Sequence, residues 1–81
     1  MTRSVQVLYY AVLRERAGIP AEVVETAAAD PAALYEEIAA RRGLAFPRAM
    51  LRVAVNDEFV DWNRPLADGD RVVFIPPVAG G

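Results

Sequence analysis

The sequence has no cysteine and no histidine. Without cysteine there is no disulfide, no thiolate metal site and no nucleophilic thiol, and without histidine the commonest general base and metal ligand are gone. Lysine is missing too: all nine basic residues are arginine, so there is no Schiff-base lysine, and the amino terminus is the one primary amine. Long apolar runs are equally scarce. The longest, Val7 to Leu13, falls far short of the ~20 residues a membrane helix needs, and neither Arg3 before it nor Arg14-Glu15-Arg16 after it suits a secretory signal. Excess positive charge is absent as well, since a net charge of -2 and a pI near 5.0 do not suit a nucleic-acid binder. The expectation is a cytoplasmic protein with no nucleic-acid or membrane partner. Its chemistry is confined to carboxylates, arginine, tyrosine, hydroxyls and the chain termini.

What remains is a chain able to fold. Its 81 residues are 54% hydrophobic, enough for one core, whereas two domains of about 40 residues each would need staples. Residues 4–10 (SVQVLYY) alternate Val5, Val7 and Tyr9 with Gln6, Leu8 and Tyr10, the period of a strand. Residues 11–17 read as a helical turn or two closed by Gly18, and 21–26 as a second strand. Asp30-Pro31 opens a helix over 31–42, with Leu34 and Ile38 on the docking face, Glu37 and Arg41 paired toward solvent, and Gly43 as the stop. Strands come next at 51–56, at 58–61 as a short edge strand beyond the Asn56-Asp57 turn, and at 71–75 after Asp68-Gly69-Asp70. Pro76-Pro77 ends pairing, because neither can donate to a ladder. One sheet around one helix buries every apolar face, so the fold class is α+β, a roll with the first and last strands side by side at its centre.

Few constellations carry chemistry. Asp57, Glu58 and Asp61, and separately Asp68 and Asp70, match no calcium-loop pattern and read as solvated turn residues; no metal site is expected. The single glycines at 18, 43 and 69 make no phosphate loop. Arg14 is either plain surface or an anchor for a partner's carboxylate. Tyr10 and Ile75 are out of phase with the core positions of their strands, so with Phe59 they form either an exposed apolar patch of the kind that marks an interface, or a minor core under a loop.

The last six residues, PPVAGG, hold the strongest signal. Two prolines keep the exit from the last strand extended, and six residues at ~3.3 Å each reach almost 20 Å. Val78, Ala79 and Gly80 would form a slim approach to the one remaining functional group, the α-carboxylate of Gly81, with the glycines removing every Cβ that would obstruct a narrow channel. A carboxylate is a poor electrophile and must first be activated, most simply as an acyl-adenylate on another protein. The chain thus divides into a folded domain over 1–77 and a tail over 78–81.

The stretches VLYYAVLRERAG (7–18), the DPAALYEEIAARRG helix, VAVNDEF (53–59) and PLADGDRVVFIPPVAGG (65–81) resemble the small, sulfur-carrier subunits of molybdopterin synthase, which are ubiquitin-like β-grasp proteins. The resemblance covers essentially the whole chain. It implies that an E1-like adenylating enzyme uses ATP to activate Gly81, and that a sulfur donor of the desulfurase or rhodanese type converts it to a thiocarboxylate. The large synthase subunit, in a heterotetramer, would then take that sulfur for cyclic pyranopterin monophosphate in molybdenum cofactor biosynthesis. The chain would bind no cofactor itself and would be no enzyme alone. By the same resemblance Tyr10, Phe59 and Ile75 match apolar positions of the partner-facing surface and Arg14 a nearby arginine, with Tyr10 and Ile75 standing where relatives often carry Phe. The rival readings are a carrier for thiamine synthesis, tRNA thiolation or cysteine synthesis, a ubiquitin-like protein modifier, and a binding module with an inert tail.

Overall fold

The structure, a computed structural model, describes residues 2–77. The chain runs β1 (Arg3–Tyr9), α1 (Val12–Ala17), β2 (Ala21–Thr26), α2 (Pro31–Arg42), a 3-10 turn (Arg48–Met50), β3 (Arg52–Val55), β4 (Glu58–Val60) and β5 (Arg71–Ile75). The strands form one mixed sheet in the order β2-β1-β5-β3-β4, in which β1 and β5 pair in parallel and every other neighbour is antiparallel. β5, the last strand, is the central one, with β1 beside it as the sequence predicts. The α+β, β-grasp architecture is thereby in place.

α2 forms where the caps dictate. The Asp30 carboxylate accepts from the Ala33 N–H at 2.9 Å, Pro31 occupies the first turn, and Gly43 closes the helix at φ 63°. Its Leu34, Tyr35 and Ile38 are buried against Val5, Val7 and Tyr9 of β1, Val24 of β2 and Val72 and Phe74 of β5 within one apolar cluster. Tyr35 meets Phe74 edge-on at 5.1 Å, and Trp62 stacks on Phe74 at 6.0 Å.

The expected Glu37–Arg41 pair does not form. Glu37 accepts from the Thr26 hydroxyl at 2.9 Å, and Arg41 turns instead to Glu22 at 3.3 Å. The reason is tertiary. Glu22 of β2 lies beneath the end of α2, where Arg42 grips it through Nε at 2.8 Å and Nη2 at 2.7 Å, and the Tyr9 phenol donates to it at 2.5 Å. These donors outweigh an exposed i,i+4 pair, worth only ~0.3–0.5 kcal/mol. Their hydrogen bonds, Arg42's first, hold the Glu22 carboxyl below the usual range even though burial opposes this. Burial and the adjacent carboxylate push the Tyr9 hydroxyl upward.

The Asp68-Gly69-Asp70 turn ties β1 to the turn that follows β3. Asp68 accepts from the Ser4 N–H at 2.7 Å, and Gly69, at φ 87°, donates to the Ser4 carbonyl at 2.7 Å. Buried Asp70 accepts from the Ala67 N–H at 2.8 Å, Asn56 Nδ2 at 2.9 Å and Arg64 Nη1 at 3.1 Å. Burial alone would raise its pKa, but these three donors together hold it below the ordinary range.

Candidate functional site

The sheet has a second face that α2 does not cover. On it Ala21, Leu8, Val73, Ala54 and Phe59 stand in register across all five strands, a rung with no polar side chain. Val73 and Ala54 are buried at its middle yet lie outside the main core cluster. Phe59 projects from edge strand β4 with 59% of its surface exposed. The turn before it, Asn56-Asp57, takes positive φ at both residues, the tight hairpin geometry that sets this register.

The neighbouring rung lies nearer the exit of the chain. Tyr10 follows the last residue of β1 and is 50% exposed, while Ile75 ends β5 half-buried. Both line an open groove of about 740 Å³ together with Phe46, Met50, Pro76 and Pro77. Tyr10 faces outward by alternation with buried Tyr9, and a backbone bend follows it: Ala11 takes φ 51° and ψ -124°, and the Leu13 N–H returns to the Tyr10 carbonyl at 3.1 Å. That region of backbone space is normally glycine's. Across the groove, Arg16 fixes the Leu44–Phe46 loop by donating to the Leu44 carbonyl at 2.7 Å and the Ala45 carbonyl at 2.9 Å, and the Tyr35 hydroxyl donates to the Phe46 carbonyl at 2.7 Å.

Tyr10, Ile75 and Phe59 therefore share the uncovered side of the molecule, which settles the choice between patch and minor core in favour of the patch. The contact between Ile75 and Phe59 runs through a residue that sequence reasoning missed. Arg52 is paired in register with Ile75, and its guanidinium lies over the Phe59 ring at 4.1 Å. Alternation places Arg52 opposite Val53 and Val55, but only the strand register brings it between the other two. Arg14 is exposed on α1 and lines a separate shallow cleft with Gly18, Ile19 and Pro20, on the flank of the groove. Val78, Ala79, Gly80 and Gly81, the predicted tail and its reactive end, lie outside the described residues.

The groove beside Tyr10 and Ile75 is lined by apolar side chains apart from Glu15 at its rim, whereas the cleft beside Phe59 also holds Arg52, Asp61, Asn63 and Arg64. The two carboxylates held below their usual range, Glu22 and Asp70, are saturated by internal donors and are correspondingly poor bases. Among the described residues, no helix is long and apolar enough to cross a membrane.

The pattern of the ThiS family matches residues 7–81. The molybdopterin synthase sulfur carrier subunit of Escherichia coli (strain K12) is 40% identical over 80 residues, covering 95% of this chain and 99% of that protein. In the protein–protein complex of subunits 1 and 2 of molybdopterin-converting factor from Helicobacter pylori 26695, a chain superposes with a TM-score of 0.66 at 30% identity, covering 96% of this chain and 99% of that one. Small archaeal modifier protein 1 of H. volcanii gives a TM-score of 0.80 over 94% of this chain and 99% of its own, and at 20% identity that likeness concerns the fold alone.

Proposed function

The chain belongs to the ThiS family, and from that premise we propose that it is the sulfur-carrier subunit of molybdopterin synthase, working inside a complex rather than as an enzyme by itself. The observation that carries this reading is the course of β5: the central strand runs through Pro76 and Pro77 along the floor of an apolar groove, toward the terminal Ala-Gly-Gly. A strand paired on both sides is a rigid mount. What it delivers is the Gly81 α-carboxylate.

In this mechanism an E1-like enzyme adenylates Gly81 with ATP, releasing pyrophosphate; a persulfide of a desulfurase or rhodanese displaces AMP to form an acyl disulfide, and a second thiol cleaves its S–S bond, leaving the thiocarboxylate on Gly81 and a disulfide on the donor side. The slender tail of Val78, Ala79 and Gly80 then carries that sulfur into the large subunit of a heterotetramer, where cyclic pyranopterin monophosphate accepts it in molybdenum cofactor biosynthesis. The chain supplies the mount, the tail and the docking face. Acid–base groups and ATP belong to its cytoplasmic partners, and the chain holds no cofactor of its own.

Intact-mass measurement on protein purified from its own cells during active cofactor synthesis tests the proposal. The expected species has one terminal oxygen replaced by sulfur, and its absence would refute the reading. Adding one Ala after Gly81 moves the carboxylate out of register with both partners. Sulfur transfer is expected to vanish while the melting temperature stays put, and retained transfer would exclude a mechanism centred on Gly81.

A further inference from the structure

Arginine is the only cationic side chain in this protein, and almost every one is engaged internally. Arg3 and Arg16 donate to backbone carbonyls, Arg41 and Arg42 hold Glu22, and the others but two reach a carboxylate of their own chain. The two without a hydrogen bond or ion pair among the described residues are Arg14 and Arg52. Arg14 sits on the flank, whereas Arg52 lies between Ile75 and Phe59 in the middle of the docking face. Asp61 lines the same shallow cleft as Arg52 but makes no ion pair with it.

We propose that Arg52 is a specificity-determining residue of the docking face, a pre-assembled receptor for a carboxylate on the large subunit. The inference rests on the function proposed above. With one face of its guanidinium resting on the Phe59 ring, the side chain is ordered before the partner arrives, so less freedom is lost on binding. Stacking covers the flat face and leaves the N–H edges open, and those edges match a carboxylate in a two-pronged pair. Ile75 and Phe59 flank the guanidinium on one side, so a partner that covers them excludes water from that side of the pair and strengthens it. A carboxylate there fixes the register of a surface whose remaining contacts are greasy and adaptable.

The test measures affinity of the carrier for the purified large subunit by calorimetry at low and high salt. The panel is wild type, Arg52→Ala, Arg52→Met, Arg52→Lys and Arg71→Gln, each first checked for an unchanged melting curve. Arg52→Ala is expected to weaken binding about tenfold to a hundredfold, the range of an interface hot spot, and to flatten the salt dependence. Arg52→Met, which keeps an apolar cover over Phe59, should bind as poorly as Arg52→Ala, and Arg52→Lys should recover part of the loss. Arg71, at the far end of the same face and paired with Asp57, serves as the control and should bind as wild type. Wild-type affinity in Arg52→Met would show that apolar cover alone suffices and overturn the proposal, as would an unchanged salt slope in Arg52→Ala. If wild type itself forms no complex and carries no thiocarboxylate, the functional premise fails instead.

Discussion

Replacing Asp70 by Asn tests how the terminal signature divides its labour. The side chain is almost isosteric, so the cost is purely electrostatic. Oδ2 accepts from both the Ala67 N–H and Arg64, and Oδ1 accepts from Asn56 Nδ2. In Asp70→Asn one of these oxygens becomes an NH2 group facing a donor. Asn56 cannot relieve the clash by flipping its amide, because its own Oδ1 already accepts from the Arg71 N–H at 3.0 Å. Bonds to a charged acceptor are worth about 1.5–3 kcal/mol, and a buried donor without a partner costs about 1–3 kcal/mol. Arg64 is 38% exposed, so its share stays within the ~0–1 kcal/mol of a surface pair. A lost bond and the donor it orphans are two counts of one contact and do not add, so the expected loss is about 1.5–3 kcal/mol at neutral pH, a large part of a small domain's stability.

The pH dependence gives the test its direction. The Asp70 carboxyl is held below the ordinary range in the folded chain. Its contribution is therefore present above the unfolded value of about 3.9 and is lost as pH falls through the lower folded value. Glu22 is depressed in the same sense, so wild-type acid denaturation mixes the two, but the difference between wild type and Asp70→Asn isolates one. Urea unfolding at about pH 7 and about pH 3 should show that difference shrinking in acid, as pH falls below the unfolded value toward the lower folded one. A difference below about 0.5 kcal/mol at neutral pH, or one that persists unchanged in acid, would refute the argument. Asp68-Gly69-Asp70 then belongs to the fold, apart from the tail on which the proposed function centres.

Where the sequence was legible, a local rule and a buried face coincided. β2, α2 and β5 begin and end where alternation and the Asp30-Pro31 and Gly43 caps put them, whereas β1 and β3 differ by a residue at each end and β4 by one residue at its end. Tyr10 falls outside β1 because the bend at Ala11 begins there. The 3-10 turn at Arg48–Met50 left no such signal. Arg48 lies over the Trp62 ring at 5.2 Å, a contact between segments far apart in the chain, and no spacing rule reaches that far. The Glu37–Arg41 expectation failed for the same reason, since a strand carboxylate with three donors outcompeted a pair read along one helix. Arg52 is the sharpest case. Its face was readable from period two, but its place between Ile75 and Phe59 depends on two antiparallel registers, neither of them visible in a single strand.

Two further perturbations probe the frame that presents the site. Leu34 is fully buried on α2, so Leu34→Ala should lower stability by about 2–5 kcal/mol in urea unfolding; a loss under about 1 kcal/mol would mean that α2 is not the helix on which the core is built. Ala11→Gly should act in the opposite sense, because at φ 51° and ψ -124° the Ala11 Cβ sits in a region costing about 1–3 kcal/mol, while the added freedom of glycine in the unfolded chain returns only about 0.4–1 kcal/mol. The net gain of roughly 1 kcal/mol corresponds to a melting temperature higher by about 4–8 °C for a domain of this size. An unchanged or lower melting temperature would show that the turn is unstrained, whereas a rise identifies strain retained at the bend beside Tyr10, where a more stable residue was available.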